Sequence, residues 1–164
     1  MHQRPRHVLF LCTGNSARSV LAEAMLRQLG GDRFVAHSAG SHPAGAVHPL
    51  TLQALAQLKL PTEGLRSKSW DEFAAPGAPV LDFIFTVCDQ AAGEVCPHWP
   101  GQPISAHWGV PDPVAAEGSD AQRLQKFVDT ALTLKRRIDL MLALPIDKLD
   151  AMALTHELRS IGQS

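Results

Sequence analysis

The run Cys12-Thr13-Gly14-Asn15-Ser16-Ala17-Arg18-Ser19 sets a thiol five residues before a guanidinium. Five residues are enough to wrap a loop around one tetrahedral oxyanion. Backbone N–H groups from Thr13, Gly14, Asn15, Ser16 and Ala17 would then point inward. A helix beginning at the end of the loop would add positive potential. Arg18 supplies a forked donor matched to two oxygens of the anion. Gly14 and Asn15 tolerate the left-handed backbone that a tight cradle requires. The same field acts on the sulfur. A free cysteine titrates near ~8.5, so only about 3% is thiolate at pH 7. A helix terminus and an adjacent cation can bring that value to roughly 3.5–7.5. Cys12 is therefore expected to be a mostly ionised nucleophile, with Ser19 able to hydrogen-bond it and hold it in line. The bland alternative is a buried Cys12 that merely ends a strand, with Arg18 on a solvated turn.

The elements around this loop decide between the two. His7–Cys12 is an apolar run that stops at Thr-Gly-Asn-Ser, the pattern of a buried strand followed by a loop. Leu21, Ala24, Met25, Leu26 and Leu29 recur at helical spacing, and Gly30-Gly31 ends that helix. Phe34–Ser38 reads as a second strand, and Leu50–Leu58 as a second helix stopped before Pro61. Ser69–Phe73 fits a short helix entered through a Ser69 cap. Val80–Cys88 is the best strand in the chain, and Ile104–Trp108 is a shorter one. The Pro- and Gly-rich stretch 91–118 predicts long loops of the kind that carry function. A long helix is expected from Asp120 to Leu144, ending at Pro145. The predicted fold class is α/β, a four-stranded parallel sheet with helices on both faces. Ligands bind beyond the carboxyl ends of such strands, the rim that Cys12 and Cys88 should both reach. Residues 1–145 make the domain. Residues 146–164 read as a helical extension, with Ile146, Leu149, Met152, Ala153 and Leu158 on one side covering an apolar patch.

Composition narrows the class. The chain has 164 residues, 45% of them apolar and 19% charged, ordinary values for one globular domain. A net charge of −1 gives no support to a nucleic-acid or anionic-membrane surface. The apolar run Val8–Cys12 is too short for a membrane span or a signal sequence. Its flanks Arg4, Arg6 and His7 read as the opening of a mature domain. Three cysteines are an odd count, poor for a secreted disulfide scaffold and acceptable for a reduced cytoplasmic enzyme. Eight histidines are scattered without helical metal-ligand spacing, so no metal site is expected. The chain contains no tyrosine.

The segment from Val8 to Ser19 resembles the low-molecular-weight protein tyrosine phosphatase family, and especially its thioredoxin-coupled arsenate reductases. The likeness continues through Glu23, Ser38-Ala39-Gly40 and Trp108-Gly109-Val110-Pro111-Asp112-Pro113, spanning roughly residues 7–144. It implies a phosphatase-like fold and assigns the general acid to Asp112. A displacement at phosphorus or arsenic needs an acid to protonate the departing oxygen. Taken alone, an aspartate between two prolines is more often a turn residue.

Phosphatases and reductases share loop and acid, so other residues must separate them. In the phosphatases the Asp-Pro pair is usually followed by tyrosines; here Val114-Ala115 follow. Reducing arsenate takes two electrons, which Cys88 and Cys96 can supply. The implied relay begins with attack of Cys12 on arsenic, forms a Cys12–Cys88 disulfide as arsenite leaves, and passes to Cys88–Cys96. Each transfer is ordinary thiol–disulfide exchange. No bound cofactor is implied; thioredoxin, or another thiol donor such as glutathione or mycothiol, would close the cycle. The bland alternative for Cys88 is a plain buried thiol, and Cys88, Cys96, His98 and His107 lack the close Cys pair of a zinc knuckle. The Cys88–Cys96 interval is about one residue longer than the commonest family version, which bears on Cys96 as the resolving thiol. Some members also hold potassium through an Asn, a Glu, a Ser and a later Asp. Asn15, Glu23 and Ser38 match, but Trp70 stands where the Asp is expected, with Asp71 beside it, so the potassium site is incomplete. The alternatives to a reductase are a phosphatase acting on aryl phosphates through a Cys12 phosphoenzyme, and an oxyanion-binding or redox-sensing module without turnover.

Overall fold

The computed structural model describes residues 4–88, 99 and 102–164. In chain order it contains β1 (Arg6–Cys12), α1 (Arg18–Gly30), β2 (Phe34–Gly40), α2 (Pro49–Gln57) and α3 (Asp71–Ala74). These are followed by β3 (Phe83–Thr86), β4 (Ile104–His107), α4 (Asp120–Leu142) and α5 (Ala151–Ile161). The strands form one sheet in the order β2-β1-β3-β4, and every neighbouring pair is parallel. This is the four-stranded α/β arrangement expected from the alternation of patterns.

β1 lies inside the sheet and is covered on both faces, which is why it is an unbroken apolar run rather than an alternating one. Val8, Phe10 and Cys12 face the larger core with residues of α1, α2, α4 and α5. Leu9 and Leu11 face a smaller one with Ala39, Phe73, Leu81 and Ile84, flanked by Trp70 and Trp99. The two layers are unequal. The long helices share one face, and the short α3 serves the other through Phe73.

β3 is shorter than the expected strand Val80–Cys88. Val80 is largely exposed, and Asp82 turns its carboxylate onto the His7 amide at 2.8 Å and onto Arg4. The Asp82 backbone still bonds to both neighbours, its N–H to His7 O at 2.8 Å and its carbonyl accepting from the Ile104 amide at 3.0 Å. At the far end the Val87 amide still donates to the Leu11 carbonyl at 2.8 Å, so Cys88 sits one residue beyond the pairing. β2 runs two residues further than expected, since Cys12 pairs with Gly40. β4 stops at His107, one residue short of Trp108. α4 starts from a Ser119–Gln122 capping box and ends before Ala143 and Leu144, ahead of Pro145.

The extension requires one correction. The expected face included Met152, yet Met152 is 83% exposed while Leu154, Leu158 and Ile161 are buried. At 100° per residue those three align at spacings of four and seven, and Met152 falls opposite them. The buried stripe joins the main core. Trp108, stacked on Phe85 with centroids 3.8 Å apart, donates its Nε1 proton to the Leu158 carbonyl at 2.9 Å. Among the described residues no helix is long and apolar enough to cross a membrane.

If α5 belongs to this core, Leu158→Ala should lower stability by about 2–5 kcal/mol. Urea unfolding followed by circular dichroism measures this, and an unchanged midpoint would separate α5 from the core.

Candidate active site

β1 delivers Cys12 to the carboxyl rim of the sheet, and the chain turns through Thr13–Ala17 into α1. The carbonyls of this loop are held from outside. Thr13 O accepts from the His42 amide at 2.9 Å, Gly14 O from the Ala44 amide at 2.9 Å, Ser16 O from the His48 amide at 3.0 Å, and Ala17 O from the Leu21 amide at 2.8 Å. Ser67 Oγ and Thr51 Oγ1 add second bonds to Gly14 O and Ser16 O. Carbonyls pinned outward leave the loop amides to face inward, as an oxyanion cradle requires. α1 carries no side-chain cap and no acidic residue in its first turn, so its positive end is not neutralised there. Asn15 takes the left-handed conformation at φ 46°. Gly14 is not among the positive-φ residues, so the expected need for left-handed backbone falls on Asn15 alone. A cavity of about 200 Å³ is lined by Cys12–Arg18, Asp112 and Val114.

One amide orients the network below the sulfur. Asn15 Oδ1 accepts from the Lys68 backbone N–H at 2.8 Å, which fixes which end of the side chain is NH2. Asn15 Nδ2 therefore donates to Ser19 Oγ at 2.8 Å and Ser38 Oγ at 3.0 Å. Ser38 directs its hydroxyl proton to Glu23 Oε1. The Ser19 oxygen is then an acceptor towards Asn15, and its own proton is left for Cys12 Sγ, 2.8 Å away. The Asn15 N–H reaches the same sulfur at 3.2 Å. Both bonds favour the thiolate.

Burial opposes them. Cys12 is 4% exposed, and loss of solvation pushes its thiol above the ordinary value; the Ser19 and Asn15 bonds pull it back in part, and Cys88 raises it further. Burial therefore counts against the ionised thiol in this arrangement. Arg18 is directed elsewhere. Its Nη1 donates to Val110 O at 3.2 Å and its Nη2 lies 3.7 Å from Asp112 Oδ2, so the guanidinium is shared with the acid loop.

Asp112 is the turn residue that its two prolines suggest, and it also stands at the cavity. Its Oδ1 accepts from the Val114 amide at 3.0 Å and so caps the turn Pro113–Ala115, while the residue also lines the cavity. Cys88 Sγ lies 3.6 Å from Thr13 Oγ1, which puts a second thiol beside the loop. Cys96 and His98 lie outside the described residues. Asn15, Glu23 and Ser38 come together; Trp70 instead packs against Trp99, with centroids 6.4 Å apart.

Three contributors had weaker signals in the chain. Gly40 packs under the loop, where an added Cβ would collide with the Thr13 carbonyl. Lys68 had no signal, because its contacts arise from residues far away in sequence. Arg137 did have one: it falls on the buried stripe Thr130, Leu134, Ile138, Met141 of α4. Its Nη1 donates to Trp108 O at 2.8 Å and Gly109 O at 3.0 Å, anchoring the stem of the loop that carries Asp112.

The comparisons agree with this geometry. The family described as low molecular weight phosphotyrosine protein phosphatase matches residues 7–151. An arsenate reductase of Halalkalibacterium halodurans is 35% identical over 120 residues, which are 73% of this chain and 83% of that protein. A solved arsenate reductase in the phosphate-binding state superposes with a TM-score of 0.64 at 26% identity, covering 84% of this chain and 97% of that one. A thioredoxin-dependent arsenate reductase of Corynebacterium glutamicum gives 0.58 at 26% identity, covering 85% of this chain and 65% of that longer one.

Removing the Ser19 hydroxyl removes a donor to the thiolate, so Ser19→Ala should raise the Cys12 pKa further. Alkylation by iodoacetamide at pH 7 should slow on the order of tenfold. An unchanged rate–pH profile would mean that the Ser19 proton points elsewhere.

Proposed function

Because the chain belongs to the low molecular weight phosphotyrosine protein phosphatase family, and its relatives include arsenate reductases, we propose that it is an arsenate reductase built on a phosphatase framework. The observation that carries this reading is the second sulfur, with Cys88 Sγ at 3.6 Å from Thr13 Oγ1 on the edge of the loop that Cys12 opens. Hydrolysis has no use for it. Reduction of As(V) to As(III) needs an electron pair, which two thiols provide on becoming a disulfide.

In this reading the cradle of Thr13–Arg18 binds arsenate, and Arg18 swings from Val110 O onto its oxygens. The Cys12 thiolate attacks arsenic; a sulfur–arsenic bond forms and an arsenic–oxygen bond breaks. Asp112 protonates the departing hydroxide, so water leaves. The Cys88 thiolate then attacks Cys12 Sγ. The sulfur–arsenic pair of electrons stays on arsenic, arsenite departs, and a Cys12–Cys88 disulfide remains. Cys96 attacks Cys88 Sγ and releases Cys12 as its thiolate, a good leaving group because Ser19 and Asn15 donate to it. A thioredoxin-like dithiol reduces the Cys88–Cys96 bridge, and a reducing compartment such as the cytoplasm suits the relay. Phosphotyrosine is a poor fit. Val114 stands at the cavity rim, where an aryl substrate would want aromatic stacking.

Arsenate, thioredoxin, its reductase and NADPH provide the assay. Arsenate-dependent NADPH oxidation is expected, and it should fall at least about 1,000-fold in Cys12→Ser and Cys88→Ser. Cys96→Ser should accumulate a Cys12–Cys88 bridge, read by mass spectrometry. Vigorous p-nitrophenyl phosphate hydrolysis that survives Cys88→Ser, without arsenate reduction, would instead identify a phosphatase.

A further inference from the structure

Glu23 is 5% exposed on the underside of the anion loop, and a buried carboxylate needs compensation. Arg27 Nη2 pairs with Oε2 at 2.9 Å from a half-exposed position. The other oxygen, Oε1, receives the Ser38 hydroxyl and faces Lys68 Nζ at 3.9 Å. Lys68 is itself 8% exposed, and its Nζ donates to the Ser38 carbonyl at 2.8 Å. Its backbone N–H holds Asn15 Oδ1. One residue therefore touches Asn15, Glu23 and Ser38 together.

These are the residues that the family likeness groups around a potassium ion, and they do not fit one here. Asn15 Oδ1 and Ser38 O already accept protons from Lys68, and its ammonium lies beside Glu23 Oε1. The position expected to supply the fourth ligand holds Trp70, which packs against Trp99, and among the described residues no group of three or more metal-ligating side chains forms. Burial pushes the Lys68 ammonium below its ordinary value and Glu23 opposes that shift, as expected of a cation enclosed with its counter-ion.

We propose that Lys68 is a built-in monovalent cation: its ammonium takes the place of potassium beneath the anion loop and, through Ser38, Glu23 and Asn15, positions the loop for its oxyanion. Lys68 touches no reacting atom; it is a positioning residue. Its ammonium acts on the Ser38 carbonyl and on Glu23, and the Ser38 hydroxyl between Glu23 and Asn15 leads on to Ser19 and Cys12; the hold on Asn15 Oδ1 belongs to the backbone and survives substitution. The inference concerns oxyanion binding and stability, so it does not depend on whether arsenate is reduced.

The test compares potassium chloride with tetramethylammonium chloride at equal ionic strength, reading melting temperature and the phosphate dissociation constant. The unaltered protein should respond to neither change of salt. Lys68→Ala, which removes charge and leaves room, should melt on the order of 10 °C lower and bind phosphate about tenfold more weakly in tetramethylammonium. Potassium should restore at least half of both losses. Lys68→Met, which removes the charge and keeps the stem, should show both losses without restoration. Should Lys68→Ala fold only in potassium, its folding yield in the two salts serves the same comparison and supports the proposal. A potassium response in the unaltered protein, normal phosphate affinity in either variant, or losses in Lys68→Ala that potassium does not restore would each overturn it.

Discussion

The site depends on carbonyl groups that point away from it. A loop of five residues has one inward and one outward side, and a peptide plane that turns its oxygen out must turn its N–H in. Hydrogen bonds from His42, Ala44, His48, Ser67 and Thr51 hold the oxygens out. Those donors come from the chain after β2 and from α2, so binding capacity is an outcome of tertiary packing. A Cys-to-Arg spacing alone would not produce it. Gly40 belongs to the same constraint, because only a residue without a side chain lets β2 pass so close beneath Thr13.

Thiol reactivity follows from two competing terms rather than one. Burial disfavours charge on the sulfur, and oriented donors favour it. The donors are ordered: the Lys68 N–H sets the Asn15 amide, and that amide donates to Ser19, which leaves the Ser19 proton available to the sulfur. Arg18 is the adjustable partner. While it bridges to Val110 and Asp112 it screens the acid loop more than the thiol, and an arriving oxyanion offers it a better acceptor. In the proposed reaction one guanidinium would thus serve both the oxyanion and the loop that carries Asp112.

Much of this was legible in the chain. The strand before Cys12, the helix after Arg18 and the parallel order follow from apolar patterning: β1 is buried on both faces, and the apolar positions of α1 fall mostly within its buried run Ser19–Leu26. Asp112 was readable through its two prolines, which confine it to a turn. The misreadings had local causes. β3 begins after Asp82, whose carboxylate serves His7 and Arg4, partners distant in sequence. Met152 was placed on the wrong side of α5 because hydrophobic character was weighed above angular position. Lys68 carries no signal of its own, since nothing nearby in sequence shows that Glu23 and Ser38 will enclose it. Arg137 was visible as a charge on an apolar stripe, and its acceptors were not.

β4 is the outermost strand of the sheet, and an open strand border is a template on which other chains can assemble. The carbonyls of Ser105 and His107 point along that border, away from β3. Arg159 Nε donates to Ser105 O at 3.2 Å, and the backbone of Gly162 lies so close to His107 O that no side chain fits between them. The last helix thus works as a guard rail. Variants shortened before it would be expected to lose solubility through edge-to-edge association, even though every group around the sulfur is encoded upstream.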